Sequence, residues 1–478
     1  MGTGLPDRQL AFWLFLLTFV TYAYFQAGGG WNQNSQFDLT RAIVERHTFA
    51  IDAYASNTGD VSRAGGHIYS NKSPALSWIA AIPYAALHAM NGGDSIEAII
   101  LNTYILTLLC VALPGALVPW MLYRYARKRG HSAPWAATVA LTTALATQLL
   151  PYSTIFMLHV PSSALLLFAL TTERRALSGF AAGLATAMNY LCAPALILFA
   201  LPRRLRFIAG AIPPLVLLAI YQNICFGSFF AISLAREDER FLTKGAAFGV
   251  FHLPSLDAVY GISISPYRGL FYFAPVLVMA IGGAILWFRE RSELRDLVAI
   301  VLIFVIFFVI NSSFNGWEGG FGIGARYLVP VIPLLGLAML RCRGWLRQML
   351  IVLAAISFAI NFAATAVDPQ PSGSIPRPLT QYILPLLVRG HFSPTVPITP
   401  PWSAATFTGH TSVNRMTFDE AIVFQRHPPG SNASEWASFN LGEPLFGPGD
   451  ARSLIPISLL LLAGLAAVGW KSRSIPRS

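Results

Sequence analysis

Charged residues are scarce in this sequence. Only 12% of its 478 residues are Asp, Glu, Lys or Arg, whereas soluble domains contain about 25%. Hydrophobic residues make up 55% of the chain, and the mean hydropathy is +0.56. This composition excludes an ordinary soluble protein and predicts repeated membrane crossings of about 20 residues each.

Other signals are missing as well. The four cysteines (Cys110, Cys192, Cys225 and Cys342) have no paired spacing, so no disulfide framework or zinc motif is indicated. The polar loops show no clear set of metal ligands, and we predict no cofactor, leaving a divalent metal open. No internal repeat is visible, which counts against a secondary transporter built from inverted halves. The net charge of +11 comes from short clusters between apolar runs, a pattern that does not favour nucleic-acid binding.

Those basic clusters predict the orientation of the chain. Clusters follow the apolar runs at 124–129, 174–175, 203–206, 289–295, 341–347 and 471–477. Basic residues in short loops mark the cytoplasmic side of a membrane. All clusters fall on one side only if the run 176–201, interrupted by Asn189 and Pro194, crosses twice as a hairpin. We therefore predict an all-α polytopic membrane protein with about twelve spans and both termini in the cytoplasm. A signal peptide is the alternative for the first run, 10–27, but its length and aromatic content favour a span.

Three polar segments are predicted on the outer face. The first, 28–94, is predicted to contain a short surface helix at 36–46, with Asp38, Arg41 and Glu45 on one face. An interfacial helix is predicted to begin at Pro74. The second segment is 227–268, and its charge run 236–240 (REDER) is interpreted as solvated.

The third outer segment, 311–327, is rich in glycine, which permits tight turns. Trp317, Glu318, Arg326 and Tyr327 lie where the chain re-enters the membrane. The predicted organisation is a transmembrane catalytic region at 1–367, an outer cap at 368–452, and a last helix with a cytoplasmic tail at 453–478.

The order of these features resembles the C-type membrane glycosyltransferases (GT-C), in particular the protein O-mannosyltransferase and lipid A aminoarabinose transferase branch. The matching residues are Asp38, the Lys72-Ser73-Pro74 stretch and the span end 123–127 (YRYAR). This similarity covers roughly the first 200 residues, and the later segments GWEGGFGIGARYL and SPYRGLF resemble those of uncharacterised bacterial members of the superfamily. The chain departs from the branch in two places. It has Asp38-Leu39 instead of Asp-Glu, and His159 where an Asp is common.

The resemblance implies transfer of a sugar from a polyprenyl-phosphate carrier to an acceptor at the outer face, with inversion, in a cell-envelope pathway of a bacterial inner membrane. Asp38 is the candidate general base. Fixed cations are expected to stabilise the leaving phosphate. The candidate substrate-binding residues are Lys72, Arg268, Arg326, His159, Trp317, Glu318, Tyr69 and Tyr327.

Each of these residues also has a structural interpretation. Asp38 can pair with Arg41, cations at span ends can anchor the protein at the interface, and aromatic residues are common there. Two other functions are left open: a transporter or flippase of lipid-linked sugars, and a glycan polymerase or ligase. A transporter should carry ionisable residues within its spans, whereas here the charges lie at span ends and in loops. The sequence does not identify the sugar or the acceptor, which can be a protein, a lipid or a glycan.

Overall fold

The computed structural model describes residues 5–93, 95–200, 204–237, 241–388, 390, 438–447 and 449–475, and the chain is mostly helical. The helices of the first half are α1 (Leu5–Ala23), α2 (Trp31–Glu45), α3 (Ala75–Asn91), α4 (Ile96–Thr107), α5 (Leu113–Lys128), α6 (Ala133–Leu145), α7 (Leu149–Tyr152), α8 (His159–Thr171), α9 (Arg175–Met188), α10 (Ala193–Ala200) and α11 (Arg204–Phe226). Those of the second half are α12 (Leu256–Ser263), α13 (Leu270–Phe273), α14 (Val278–Glu290), α15 (Leu294–Ser313), α16 (Ile332–Met339), α17 (Trp345–Val367), α18 (Leu384–Val388), α19 (Glu443–Phe446) and α20 (Ile455–Arg473).

Two small antiparallel sheets accompany the helices. Strands β2 (Val61–Ala64) and β3 (His67–Ser70) form a hairpin in the first polar segment. Strand β1 (Phe25–Gln26) pairs with β4 (Phe439–Asn440), which joins the end of α1 to the chain before the last helix. The predicted cap 368–452 is described only near its two ends, because residues 389, 391–437 and 448 lie outside the described residues.

The apolar helices make this an integral membrane protein. Within the described ranges, five helices are long and apolar enough to cross a membrane: Glu97–Lys128, Leu205–Phe226, Leu294–Ser313, Trp345–Val367 and Ala451–Arg473. Five apolar helices are shorter: Ala133–Leu145, His159–Thr171, Tyr190–Ala200, Arg326–Met339 and Leu379–Val388. Short helices of this kind cross a full bilayer only where neighbouring protein compensates for their length. The count of twelve spans stays a prediction.

Ion pairs gather several basic clusters at one end of the helical bundle, which we call the basic end. Arg127 Nε lies 2.7 Å from Asp7 Oδ1, so the end of α5 meets the start of α1. At the α14–α15 turn, Glu293 pairs with Arg129 from the end of α5, and Glu290 pairs with Arg341 and Arg343 from the α16–α17 turn. Lys128 at the end of α5 pairs with Glu173 in the α8–α9 turn. Residues 173–177 and 205–206 also lie around one pocket. The basic loops of these helices therefore meet as the sequence predicts, while the side of the membrane on which they lie stays a prediction.

The run 176–201 forms the two arms of a hairpin. Helix α9 ends before Asn189, whose Oδ1 accepts a hydrogen bond from Leu191 N at 3.1 Å, and α10 then returns. Helix α11 packs directly on α9, since a Cβ on Gly179 would lie only 1.8 Å from Phe207 O. Small residues allow such close approach of membrane helices. The hairpin turn is thereby carried to the end of the bundle away from the basic clusters.

The first polar segment differs from the prediction in one respect. Helix α2 begins at Trp31 rather than at position 36, and its residues 32–42 are buried instead of lying on a wet surface. Pro74 does precede α3, as predicted. The physical reason for the burial is that the hairpin and α3 cover α2, for example through Ser77 Oγ, which donates to Gln36 O at 2.7 Å.

The end of α2 is fixed by a buried carboxylate. Glu45 accepts hydrogen bonds from Arg41 Nε at 2.9 Å, from Tyr84 OH at 2.6 Å and from Tyr54 OH at 2.8 Å. Burial alone would raise the pKa of Glu45, but these donors hold that pKa below its usual value. Arg41 thus pairs with Glu45, and the network joins α2 to α3. Arg41 and Glu45 are therefore structural.

Candidate active site

A cavity of about 860 Å³ opens at the end of the bundle opposite the basic end. Its walls come from the start of α2, the β2–β3 hairpin, the start of α8, the α9–α10 turn and the segments 232–255 and 310–327. Its polar and charged lining residues, together named the polar wall, are Asn32, Gln33, Asp60, Asn71, Lys72, His159, Asn189, Glu237, Asn311, Glu318, Arg326 and Gln370. Its apolar lining residues, named the apolar wall, include Leu191, Pro194, Ile232, Leu234, Phe241, Phe248, Phe251, Leu253, Ile310 and Phe314. The cavity is therefore suited to a ligand with a polar head and an apolar tail.

The register of the hairpin brings a carboxylate against a cation. Gly65 and Gly66 form a two-residue turn with positive φ at both positions, 57° and 82°, as a tight hairpin turn of this kind requires. Val61 then pairs with Ser70, so the residues just outside the ladder also meet. Lys72 Nζ lies 2.8 Å from Asp60 Oδ2. Two residues twelve positions apart are thus placed together at the cavity wall.

Trp31 closes the wall beside this pair. A Cβ at Gly59 would lie 2.4 Å from the Trp31 ring, so only glycine lets the chain before β2 approach so closely. Thr58 Oγ1 donates to Trp31 O at 2.8 Å, and the indole meets Phe241 edge-on at 6.4 Å. The start of α2 is held in this way between the hairpin and the second polar segment.

Arg326, Tyr327 and His159 form a second group on the polar wall. Arg326 Nη2 donates to Tyr327 OH at 3.1 Å, and the Tyr327 ring meets the His159 ring at 5.8 Å. His159 is 2% exposed, and neither of its ring nitrogens has a hydrogen-bond partner among the described residues. The same is true of Arg326 Nε within those ranges. Unpaired buried donors of this kind are costly to fold and are expected where a ligand supplies the partner.

Buried amides add further unpaired hydrogen-bonding atoms. Both side-chain atoms of Asn311, Nδ2 of Asn189 and Oδ1 of Asn71 find no partner in the described part of the chain. All three residues line the cavity. Amides present donors and acceptors together, which matches the hydroxyl groups of a sugar.

Arg268 has a different role from the one predicted. It is fully buried, and its guanidinium donates to Glu318 O at 3.1 Å, Gly320 O at 2.8 Å and Tyr267 O at 3.1 Å. It does not line the cavity. Two of these acceptors, Glu318 O and Gly320 O, belong to the glycine-rich segment, so Arg268 supports the backbone of that segment from outside the cavity lining.

Asp38 and Tyr69 also lie away from the cavity. Asp38 is fully buried on α2 and accepts a hydrogen bond from Asn57 Nδ2 at 3.3 Å. Tyr69 packs edge-on against Phe226 at 5.4 Å, in a separate apolar cluster. Neither lines the cavity, because α2 turns only its first residues towards it. The structure thus brings together six of the nine predicted residues: Lys72, His159, Trp317, Glu318, Arg326 and Tyr327.

Sequence reasoning missed several residues of this wall. Asp60 could have been found, since a Gly-Gly pair between two short β-like runs predicts a hairpin that faces Asp60 with Lys72. Glu237 was interpreted as part of a solvated charge run, but it is half-buried at the cavity, while residues 238–240 lie outside the described residues. Gln33 and Gln370, 337 positions apart, have no local signal at all.

Gln370 is positioned by a buried carboxyl group. Asp368 Oδ1 accepts from Gln370 N at 2.7 Å, and Asp368 Oδ2 accepts from Tyr382 OH at 3.1 Å. Burial raises the pKa of Asp368 to about 6, even though both hydrogen bonds lower it. Gln370 Nε2 donates to Gly28 O at 3.0 Å, and Gln370 Oε1 accepts from Gln33 Nε2. The segment after α17 is in this way joined to the start of α2 at the cavity.

Comparisons with known proteins give distant structural neighbours. No family model and no curated protein sequence matches the chain. The crystal structure of ArnT from Cupriavidus metallidurans bound to undecaprenyl phosphate is 16% identical, with a TM-score of 0.47 over 97% of this chain and 77% of that one. The structure of the same protein in the apo state is 15% identical, with a TM-score of 0.44 over 96% and 75% of the two chains. Both neighbours belong to the branch that the sequence resembles. At this degree of likeness, function has to be inferred from the site itself.

No group of three or more His, Cys, Asp and Glu side chains within the described ranges is arranged to hold a metal ion.

Proposed function

We propose that this protein is a glycosyltransferase that moves a sugar from a polyprenyl-phosphate carrier to an acceptor hydroxyl at the outer face of the membrane, with inversion. The observation that carries the proposal is the cavity lining, which combines the cations Lys72 and Arg326 with many apolar side chains. A lipid phosphate sugar likewise combines a charged head with a hydrocarbon tail.

Lys72 and Arg326 are suited to hold the phosphate. In glycosyl transfer from such a donor, negative charge builds up on the phosphate as the glycosidic bond breaks, and fixed cations stabilise that charge. Arg326 Nε has no partner among the described residues, and Lys72, Arg326 and His159 all line the cavity. We assign His159 to the same phosphate or to the first sugar hydroxyl.

The amide groups and aromatic rings are suited to the sugar. Asn71, Asn189 and Asn311 supply unpaired amide atoms at the polar wall. Trp317 lies at the wall and meets Tyr267 edge-on at 6.1 Å, an arrangement that keeps the indole face fixed. Aromatic faces and amides together bind the apolar and hydroxyl faces of a sugar ring.

The apolar wall is suited to the carrier chain. It includes Ile310 and Phe314 at the end of α15, a helix long and apolar enough to cross the membrane. A polyprenyl chain can therefore leave the cavity towards the hydrocarbon region without exposing itself to water.

The position of the cavity supports an outward-facing site. It lies opposite the basic end, and basic loops are retained in the cytoplasm. We accordingly propose that both termini are cytoplasmic and that the cavity opens on the outer leaflet of a bacterial inner membrane. The outer segment 368–452 is proposed to help select the acceptor, starting from Gln370 at the cavity wall.

The test uses purified protein in nanodiscs, with undecaprenyl phosphate as the binding probe. A panel of undecaprenyl-phosphate sugars then serves as donors, with envelope membranes from a strain lacking this protein as the source of acceptors. We expect saturable binding of the probe and transfer of one sugar from the panel. Arg326→Met should weaken probe binding at least tenfold, while Arg343→Met, at the basic end, should not.

Three outcomes contradict the proposal. Binding without transfer from any donor, together with movement of the lipid between leaflets, would assign the protein to flippases. Repeated addition of sugars to a lipid-linked glycan would assign it to polymerases. Accessibility labelling that places Lys72 on the cytoplasmic side would also overturn it.

A further inference from the structure

Glu237 is a cavity carboxylate for which neither the sequence nor the resemblance suggests a role. It follows a 3₁₀ turn at Ser233–Arg236 in the second outer segment, after α11. An antiparallel bridge joins Glu237 to Ser62 on β2, so the second segment is docked on the hairpin of the first. Its side chain is thereby carried to the wall that also holds Asp60 and Lys72.

Three hydrogen bonds fix this arrangement. Ser62 Oγ donates to Ser233 O at 2.7 Å, and Ser233 Oγ donates to Asn71 O at 2.9 Å. Asn71 Nδ2 then donates to Glu237 Oε1 at 2.6 Å. The carboxylate is therefore held by one oxygen, and its Oε2 has no hydrogen bond to any described residue. An oxygen in this state can accept a proton from a bound molecule.

Asp60 and Asp38 are less suited to that task. Asp60 Oδ2 is committed to Lys72 at 2.8 Å, and Asp38 does not line the cavity. Removing the Asp60–Lys72 contact would also take from Lys72 the partner that orients it. Compared with Asp60, Glu237 combines a fixed position with an oxygen that no described residue hydrogen-bonds.

The surroundings of Glu237 favour proton transfer near neutral pH. Burial raises its pKa to about 7 and the charge of Asp60 adds to the rise, while Lys72 and the hydrogen bond from Asn71 lower it. Asp60 and Lys72 face Glu237 from the hairpin, Arg236 precedes it on its own segment, and the phenol of Tyr190 lies 3.4 Å from Ser233 Oγ beneath that segment. A general base is most effective when its pKa lies near the working pH.

We infer that Glu237 is the general base that activates the acceptor hydroxyl, an inference that rests on the proposed glycosyl transfer. The acceptor O–H gives its proton to Glu237 Oε2, and the acceptor oxygen forms a bond to the anomeric carbon. The bond from that carbon to the phosphate oxygen breaks, and its electron pair leaves with the polyprenyl phosphate, which Lys72 and Arg326 stabilise. The second outer segment thus supplies the base, and the first supplies the cation.

The test compares Glu237→Gln and Glu237→Ala with wild type, using the donor identified from the panel above and undecaprenyl phosphate as the binding probe. Glu237→Gln should keep probe binding within about threefold and lose transfer by about 10²- to 10³-fold, the range for loss of a general base. Wild-type transfer should rise with pH through an ionisation near 7, and this ionisation should vanish in Glu237→Gln. Added formate should restore part of the activity of Glu237→Ala. Asp257→Asn, an exposed carboxylate of the same outer segment, is the matched control and should behave as wild type.

The failures are distinguishable. If wild type neither binds the probe nor transfers sugar, the proposed function is wrong. If wild type transfers but Glu237→Gln keeps its rate and pH profile, the base lies elsewhere. Loss of probe binding in Glu237→Gln would make Glu237 a donor-binding group and overturn the inference. If that variant does not fold, Glu237→Ala decides, because transfer at the wild-type rate without added formate would exclude Glu237 as the base.

Discussion

The two ends of the bundle handle charge in opposite ways. At the basic end, cations have anionic partners: Arg127 has Asp7, Arg129 has Glu293, and Arg341 has both Glu290 and Glu293. At the cavity, the His159 ring, the Asn311 amide and Arg326 Nε have no hydrogen-bond partner among the described residues. Satisfied charges stabilise a fold, whereas buried polar atoms without partners cost free energy unless a ligand completes them. The contrast therefore separates residues that are paired within the fold from residues that remain available to a ligand.

The comparison also shows that charge alone does not identify a site. Arg268 and Arg326 come from two neighbouring outer segments, and both looked like phosphate ligands in the sequence. Arg268 donates to three carbonyls, while Arg326 Nε at the cavity has no hydrogen-bond partner within the described part of the chain. The difference is that backbone carbonyls surround the guanidinium of Arg268 and accept its hydrogen bonds, whereas the Nε of Arg326 has no such acceptor among the described residues.

The largest effect is expected from breaking a satisfied pair at the basic end. Among the described residues, Arg127→Met leaves Asp7 with the hydrogen bond from Tyr123 OH alone, and should lower the free energy of unfolding by about 3 kcal/mol or more. The double variant with Asp7→Asn should recover much of the loss. Denaturant titration in detergent measures both. Unchanged stability in Arg127→Met would mean that the basic end is not held by this pair.

Lys72→Met should act mainly on function. Removing a cation that stabilises developing charge is expected to lower kcat by about 10²-fold, with a smaller loss of stability because Asp60 loses its partner. The matched control is Lys128→Met, whose pair with Glu173 is exposed and should contribute under about 1 kcal/mol. Equal loss of transfer in Lys72→Met and Lys128→Met would show that cations at the cavity have no special part in transfer.

Two glycines with positive φ, one at the cavity and one at the basic end, allow the two ends to be compared by backbone substitutions. A Cβ at Gly319 (φ 75°) would lie 2.7 Å from Arg326 Nε, whereas a Cβ at Gly344 (φ 56°), in the turn between α16 and α17, meets nothing within 4 Å. Replacing either by Ala should cost about 1 kcal/mol of stability. Only Gly319→Ala should also displace Arg326 and weaken undecaprenyl phosphate binding. Binding unaffected by Gly319→Ala would show that Arg326 is not a donor ligand.

The smallest change in stability is expected at His159. His159→Phe removes two buried ring nitrogens without partners, so the free energy of unfolding should stay equal or rise by up to about 1 kcal/mol. Transfer should nevertheless fall by about tenfold. Thermal unfolding and kcat/KM, measured on the same preparations, separate an effect on stability from an effect on transfer. A clear loss of stability would instead make His159 a structural residue.

Much of the fold could be predicted because it depends on local composition. Apolar runs and basic clusters predicted a helical membrane protein, the start of α3 at Pro74, and a hairpin broken near Asn189. The burial of α2 could not be predicted, because it depends on the hairpin and α3 packing over a helix whose own sequence is polar.

The site was predicted in part for the same reason. The sequence predicts that Lys72 and Arg326 lie at the ends of apolar segments, where the cavity is found. It also places Asp38 in an outer polar segment. The direction in which α2 presents each of its residues depends on its packing, however, and only its first turn faces the cavity. Glu237 and Gln370 reach the wall through contacts across 166 and 337 positions, which have no local signature.

The sequence by itself determined that this chain is a helical membrane protein and predicted which loops share a side, because hydrophobicity and loop charge act on each segment independently. Only the tertiary structure decided which polar residues meet. Hydrogen bonds and register between distant segments turned Asp60, Lys72 and Glu237 towards one cavity, and turned Arg268, Asp38 and Tyr69 away from it.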